Sequence, residues 1–333
     1  MKALVTGSTG FLGSHICQAL IERGWEVRAF HRPGSDLELI KNIPVEHAIG
    51  DITEPDCLGS ALENVQVVFH TAAFLGGKTA HAPFQQVTVL GTRNILSAAL
   101  KAGVERVVHT SSVAALGVPT LLQQQGLSPE LIDETHTWNY PAKRWPYGCA
   151  KYLAEIQVQK AVACGLDVVI VNPSQVLGAG DKNRRSDSIV TMVARRKIPF
   201  SVSGGLNLVH IDDVVQGHLA ALDKGQRGER YILGGENITH TDLITRIASV
   251  ANVHGPRLTL AGSLMRGLAG ILSRFPFRTL PFDPQQFYQA GYYFFYDTTK
   301  SKRELGLPKP QSISLAIREA YDSFMTPEIK KAE

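Results

Sequence analysis

Apolar positions change their spacing along this chain in a way that separates strands from helices. Lys2-Ala-Leu-Val-Thr6 is a short apolar run that enters a glycine-rich turn, and from Ser14 to Arg23 apolar residues recur at helical spacing until Gly24. Val27–Phe30 and Val65–Phe69 read as strands, and Thr92–Ala102 as a helix closed by Gly103. Val104–Thr110 and Leu166–Val171 are two more strands, on either side of a helical segment from about Pro146 to Cys164. Strand alternating with helix predicts an α/β fold, a doubly wound parallel sheet covered on both faces and joined by right-handed crossovers.

After Pro173 the pattern loosens. Helices are predicted near Ser188–Arg196, Val214–Leu222, Thr241–Ala251 and Ser314–Phe324, strands at Asn207–Ile211 and Arg230–Leu233, and an irregular Pro- and aromatic-rich region from Gly255 to Tyr296. No repeat or low-complexity linker separates the halves. The expected division is therefore interleaved: residues 1–173 plus about 207–233 form a nucleotide-binding domain, and about 174–206 plus 234–333 a smaller, mostly α substrate lobe.

Composition narrows the class. With 333 residues, 44% apolar, 19% charged and a mean hydropathy of -0.03, the chain can bury a full core and is neither disordered nor fibrous. Lys and Arg number 34 against 30 Asp and Glu; apart from Arg184-Arg185, Arg195-Arg196-Lys197 and Lys330-Lys331 they are scattered, which reads as solvated surface without a nucleic-acid stripe. Cys17, Cys57, Cys149 and Cys164 have no paired C-x-x-C spacing and the N-terminus lacks a signal-peptide pattern, so a reducing, cytoplasmic compartment is expected. The longest apolar stretch, 261–273, is broken by Arg266, Gly267 and Gly270, short of the roughly 18 residues of a membrane span.

Between the first strand and first helix stands Thr6-Gly7-Ser8-Thr9-Gly10-Phe11-Leu12-Gly13. Gly7 turns the chain, Gly10 lets backbone approach a pyrophosphate and Gly13 lets helix pack on sheet; with Thr9, Phe11 and Leu12 they form the expected dinucleotide cradle of a Rossmann sheet. The second strand ends in His31-Arg32, where an NAD site usually carries an acid for the ribose 2′-hydroxyl. These two cations suit a 2′-phosphate, so NADP(H) is the expected cofactor, with NAD(H) possible through nearby Asp36. Asp51 and Ile52 after the third strand, and Thr71, Ala72 and Ala73 after the fourth, complete the expected contacts.

Tyr147 and Lys151 lie four residues apart, on one helix face. A free phenol titrates near pH 10, and a fixed ammonium beside it stabilises the phenolate, giving a usable proton donor and acceptor. Ser111 and Ser112 end the preceding strand, at the sheet edge where ligands bind.

These residues, together with Gly91-Thr92-Arg93-Asn94, His210-Ile-Asp-Asp213 and Asp297–Leu305, resemble the extended short-chain dehydrogenase/reductases, the superfamily of the NAD-dependent epimerases and dehydratases. The resemblance spans essentially the whole chain. It implies Ser112, Tyr147 and Lys151 as catalytic residues, Lys151 also holding the nicotinamide ribose, and Pro173 and Ser174 near the nicotinamide ring. Sugar-nucleotide members typically carry arginines for the diphosphate where this chain has Leu206-Asn207-Leu208 and Phe287, and dehydratases an acid pair where it has Val113-Ala114-Ala115. Thr88 replaces an expected Asn. His70–Ala73 and Val171–Ser174 look like the dihydroflavonol-reductase and aldehyde/ketone-reductase branch; Gly205–Asp213 and Arg230–Asn237 are also similar to hopanoid-associated sugar epimerases.

The resulting expectation is an NADP(H)-dependent oxidoreductase interconverting a small-molecule aldehyde or ketone and its alcohol, with Phe74, Trp145 and Gln175 lining the substrate pocket and a homodimer as the assembly. A nucleoside-diphosphate-sugar epimerase and a non-catalytic NADP-binding redox sensor are the alternatives. No metal site is expected: His109, His210 and His218 lack ligand spacing and read as structural or hydrogen-bonded, and Cys149 as facing away from the chemistry. The aromatic residues Phe287-Tyr288 and Tyr292–Tyr296 read as a strand with one buried face ahead of a pocket wall for a flat substrate, Leu264–Leu272 as a helix packed on its own lobe ahead of an amphipathic lid or membrane-touching helix, and Trp138, Tyr140 and Trp145 equally as pocket lining or packing.

Overall fold

A computed structural model of the chain describes residues 1–76, 84–120, 129, 131–181, 188–272 and 284–332. Arg184-Arg185 and the end of the 261–273 stretch lie outside them, as do the side chains of Lys330-Lys331.

In chain order the elements are β1 (Lys2–Thr6), α1 (Phe11–Glu22), β2 (Glu26–His31), β3 (Glu46–Ile49), α2 (Leu58–Ala61), β4 (Val67–His70), α3 (Gly91–Lys101), β5 (Arg106–Thr110), α4 (Pro146–Ala163), β6 (Val168–Pro173), β7 (Gln175–Leu177) and α5 (Ile189–Ala194). They continue with β8 (Ser201–Val202), β9 (Gly205–His210), α6 (Ile211–Lys224), β10 (Arg230–Leu233), β11 (Glu236–Thr239), α7 (His240–Val250), β12 (Thr259–Leu260), α8 (Gly262–Leu272), α9 (Thr299–Leu305) and α10 (Ile313–Ala332).

Seven strands form one parallel sheet in the order β10-β6-β5-β4-β1-β2-β3. Its central strands are apolar at nearly every position because both faces are covered. Ala3, Val5, Phe69, Val169 and Val171 pack with Ile16 and Leu20 of α1 and Val214 of α6, while the alternate residues Leu4, Val68, Val168 and Ile170 pack with Ile95 of α3 and Val158 of α4. This is the doubly wound Rossmann-like fold that the alternation predicts. The strand order reverses about β1, so a crevice opens at the carboxyl ends of β1 and β4, the usual ligand position.

Expected as a return to the large sheet, the strand at 207–211 behaves differently: β9 sits in a second, three-stranded sheet, antiparallel to β11 and parallel to β7. β10 instead takes the edge beside β6. The reason is polar. Asn207 Oδ1 accepts from Ser174 Oγ at 2.7 Å and Gly235 N at 2.9 Å, its Nδ2 donates to Asn237 Oδ1, and Asn237 in turn pairs with both main-chain groups of Tyr296. Buried Asn207 needs these partners, and the end of a purely apolar sheet would not supply them. A separate core of Leu177, Leu208, Ile244, Ile247, Ile317 and Phe324 lies beneath this lobe, which is mostly helical.

Candidate active site

The glycine turn is built to receive backbone-close ligand. Gly7 has φ +70, and a Cβ there would lie 2.7 Å from Thr71 Oγ1 and 2.8 Å from Ala72 N. At Gly13 a Cβ would come within 2.1 Å of Gly7 O, so α1 can approach β1 only without a side chain. Gly10 differs: a Cβ there meets only Gly7 O, at 3.2 Å, and otherwise enters open space. Gly10 is also the N-cap of α1, with no side-chain cap bond and no acid in the first turn, so the amides beginning at Phe11, Leu12 and Gly13 keep their donors for an anion. Thr9 lies half-buried in the same turn. These residues fit the pyrophosphate of a dinucleotide.

At the end of β2 the two expected cations part company. Arg32 is exposed, whereas His31 is buried, its Nδ1 3.2 Å from the Arg32 carbonyl and its Nε2 3.1 Å from His47 Nδ1. Both His31 nitrogens thus have protein partners, leaving Arg32 to face solvent. Asp51 accepts from the amide and hydroxyl of Thr53, both at 2.8 Å, and Ile52 is buried against Gly91, whose missing side chain it occupies. Asn94 Nδ2 holds the Ile52 carbonyl, which accounts for the Gly91–Asn94 motif on α3.

Beneath Thr71-Ala72-Ala73 a hydrogen-bond chain fixes the backbone. Thr92 Oγ1 donates to the Thr88 carbonyl at 2.6 Å, so His70 Nε2 donates to Thr92 Oγ1 and His70 Nδ1 accepts from Thr6 Oγ1 at 2.7 Å. Thr6 Oγ1 then accepts from Ala72 N, and Thr88 Oγ1, at the place of the expected Asn, accepts from Phe74 N. Burial first and Lys151 second hold His70 down to about 3, so the ring is neutral. His218 pairs with Thr110 and Val214, and His210 with Glu319, as expected. His109 is buried without such bonds: both ring nitrogens lack a partner among the described residues, and its ring lies 5.4 Å from that of His70.

Three elements converge on the crevice from the other side. Lys151, one turn beyond Tyr147 on α4, is 3% exposed and its Nζ donates to the Thr110 carbonyl at 2.9 Å. Burial pulls its pKa down to about 8, against the opposing pull of Glu155. The chain leaves β5 through Ser111, whose hydroxyl is spent on Glu155 at 2.5 Å, and Ser112, half-buried at the start of a short 3-10 turn. Ser112 Oγ accepts from Ala114 N at 3.2 Å, so its own proton is left to donate. Gly148 makes the approach of α4 to this turn possible, since a Cβ there would stand 2.9 Å from the Ala114 carbonyl and 2.6 Å from the Trp138 ring. Pro173 and Ser174 are buried at the end of β6, Ser174 Oγ being taken by Asn207, and Gln175 is exposed.

Rings wall the open side. Phe74 packs edge-on to Phe84 at 4.8 Å and Phe84 to Tyr147 at 6.4 Å, while Trp145 meets Phe294 at 5.7 Å and Phe294 meets Tyr292 at 6.0 Å. Trp138 instead stacks on Tyr152 and packs α4, and Tyr140 anchors its loop by donating to the Tyr288 carbonyl. The strand expected at 292–296 is not a ladder strand. Among the described residues it makes single bridges, Gly205 with Tyr293 and Ile132 with Tyr296, because Gly291 turns the chain at φ +82 and Asn237 takes up the main chain of Tyr296. Alternation survives: Tyr292 and Phe294 face Trp145, and Tyr293 packs on Phe295. α8 packs on its lobe through Met265 and Ala269 as expected, yet leaves Leu264, Leu268 and Ile271 exposed.

Sequence reasoning missed Phe84, Glu155 and Asn172, and favoured a plain strand where Phe294 joins the ring wall. For Glu155 a signal existed, its place four residues after Lys151 on the same face. Among the described residues no group of three His, Cys, Asp or Glu could hold a metal ion, and no helix is long and apolar enough to cross a membrane.

Residues 3–234 match the family model described as the NAD dependent epimerase/dehydratase family. A Synechocystis sp. protein provisionally named dihydroflavonol 4-reductase is 36% identical over 334 residues, covering 96% of this chain and 93% of its own. Sterol demethylase protein B of Methylococcus capsulatus is 36% identical over 331 residues, covering 97% and 98%. Among solved structures, that of gox2253 superposes with a TM-score of 0.84 at 35% identity, over 98% of each chain.

Proposed function

The chain belongs to the NAD dependent epimerase/dehydratase family, and within it we propose an NADP(H)-dependent oxidoreductase that interconverts an apolar, ring-bearing aldehyde or ketone and its alcohol. The observation that carries this reading is the meeting of a buried ammonium, a phenol and a free serine proton with an aromatic wall. Leu208, where sugar-nucleotide members of the resembled family carry a cation nearby, is 2% exposed and belongs to the lobe's core. The names of the sterol and flavonol relatives point the same way.

The chemistry a bound nicotinamide supplies is hydride transfer at the carbonyl carbon. On the protein side, the Ser112 hydroxyl hydrogen-bonds to the carbonyl oxygen and keeps its proton, Tyr147 protonates that oxygen as it becomes an alkoxide, and Lys151 stabilises the phenolate left behind. In the reverse direction the phenolate takes the alcohol's proton. Gly7, Thr9, Gly10, Phe11, Leu12 and Gly13 hold the pyrophosphate, Arg32 the 2′-phosphate, Asp51 and Ile52 the adenine end, and Thr71–Ala73, Pro173 and Ser174 the nicotinamide end. Phe74 and Trp145 contact substrate. The same proposal makes the protein a cytoplasmic homodimer with an interleaved cofactor domain and substrate lobe, the dimer being open to sedimentation analysis.

NADPH oxidation followed over a panel of aromatic aldehydes, steroid ketones and UDP-glucose tests the reading. Turnover with the first two that Tyr147→Phe abolishes, with NADPH binding retained, supports it. Epimerisation of the UDP-sugar without net cofactor consumption overturns it, as does an unchanged rate in Tyr147→Phe.

A further inference from the structure

Glu155 occupies a place that a structural residue would not need. It lies one turn beyond Lys151 and two beyond Tyr147, on the same face of α4, and is 2% exposed. Its Oε1 accepts from Ser111 Oγ at 2.5 Å and from Asn172 Nδ2 at 2.7 Å, and that same Asn172 nitrogen donates to the Ser112 carbonyl at 3.0 Å. One carboxylate oxygen therefore binds the segment that carries Ser112 to the helix that carries Tyr147 and Lys151. The other oxygen, Oε2, has no hydrogen-bond partner among the described residues and stands 3.6 Å from Arg230 Nη1 on β10.

We propose that Glu155 is a positioning residue of the acid–base pair: its buried carboxylate clasps the Ser112 turn to α4 and supplies the negative charge that keeps Lys151 an ammonium. The inference rests on the proposed roles of Tyr147 and Lys151. A buried carboxylate this costly to desolvate is retained only with strong partners, and an apolar residue would fill the same space more cheaply. The groups facing Lys151 are Tyr147 and Glu155 on its own helix, His70 on β4 and His109 on β5; burial holds both imidazoles neutral, so neither offsets the lysine's charge. Glu155 is thus the anion beside it, and Arg230 is the cation that tempers Glu155.

The charges give opposite predictions for two variants. Without the carboxylate, in Glu155→Gln, Lys151 gives up its proton more readily and the Tyr147 phenolate loses its counter-charge. In Arg230→Met a competing cation disappears, Lys151 holds its proton longer and the phenolate forms earlier. The readout needs no substrate: phenolate absorbance is titrated in each protein and in its Tyr147→Phe counterpart, and the difference isolates Tyr147. Relative to the wild-type background, the midpoint should move alkaline by about one pH unit in Glu155→Gln and acid by a smaller amount in Arg230→Met. A merely structural role lowers the melting temperature and leaves the midpoint in place. If Glu155→Gln does not fold, the partly exposed Arg230 variant decides alone. A wild-type Tyr147 midpoint at or above the ordinary value near pH 10 sinks the acid–base reading itself. A depressed wild-type midpoint that neither variant moves overturns only the role of Glu155.

Discussion

Lys151 Nζ donates to the carbonyl of Thr110 at 2.9 Å, so the ammonium is fixed to the last residue of the very strand that delivers Ser112. Its charge is available below about pH 8 and lost above it, since burial lowers its pKa to that value. Turnover in the reducing direction should therefore fall as pH rises through about 8, and Lys151→Met should cost about 10²–10⁴-fold at neutral pH. A pH–rate profile flat to pH 10 would contradict this.

Ser112→Ala removes the hydrogen-bond donor proposed to act beside Tyr147 on the carbonyl oxygen, together with the cap bond from Ala114 N. A kcat loss of about 10²-fold with cofactor affinity unchanged is expected, the usual effect of deleting one such donor. Ser111→Ala gives the contrast, because its hydroxyl serves Glu155. Steady-state kinetics of the two side by side make the check.

Two of the three glycines of the turn should fail differently. Gly13→Ala forces a Cβ to 2.1 Å from the Gly7 carbonyl and should unfold or strongly destabilise the protein. Gly10→Ala brings its methyl against the Gly7 carbonyl alone, at 3.2 Å, so the melting temperature should fall little while dinucleotide affinity drops at least about tenfold. Calorimetry and fluorescence titration separate the outcomes, and equal loss of fold in both would refute the assignment.

Cofactor preference should reside in Arg32 alone. Arg32→Ala is expected to weaken NADPH binding by about tenfold or more and leave NADH unaffected, as loss of a guanidinium–phosphate pair requires. His31→Gln should change neither. Discrimination that follows His31 would reverse this reading of the β2 end.

Acid should destabilise the fold early. The unfolded chain protonates its histidines near pH 6.5, whereas buried His70 and His218 resist until about 3 and about 4. The unfolded state binds more protons in that window, so stability is full above about 6.5 and declines as pH falls, by about 3 kcal/mol from His218 alone at pH 4. Melting temperatures that stay level from pH 7 to pH 5 would show that these rings do not remain buried and neutral.

The cofactor half was legible because its rules are local. A strand that must be apolar on both faces, a turn that must lack three side chains and a pair four residues apart on a helix all leave marks within a few positions, as at Val168–Val171, Gly7–Gly13 and Tyr147–Lys151. What could not be read is non-local. Phe84 and Phe294 come from distant parts of the chain to meet Tyr147 and Trp145, His31 is drawn inward by His47, and β9 leaves the large sheet to satisfy Asn207. Each depends on a partner whose position no sequence spacing announces.

The paired amides of Asn207 and Asn237 have a consequence for how such a protein can diversify. One joins Ser174, just beyond the end of β6, and the other grips the backbone of Tyr296, four residues after Tyr292 in the ring-bearing wall. Because Asn237 grips main chain, side chains from Tyr292 to Phe295 are free to vary without loosening the grip. The amide pair works as a socket: new walls can be mounted on an unchanged Rossmann-like frame.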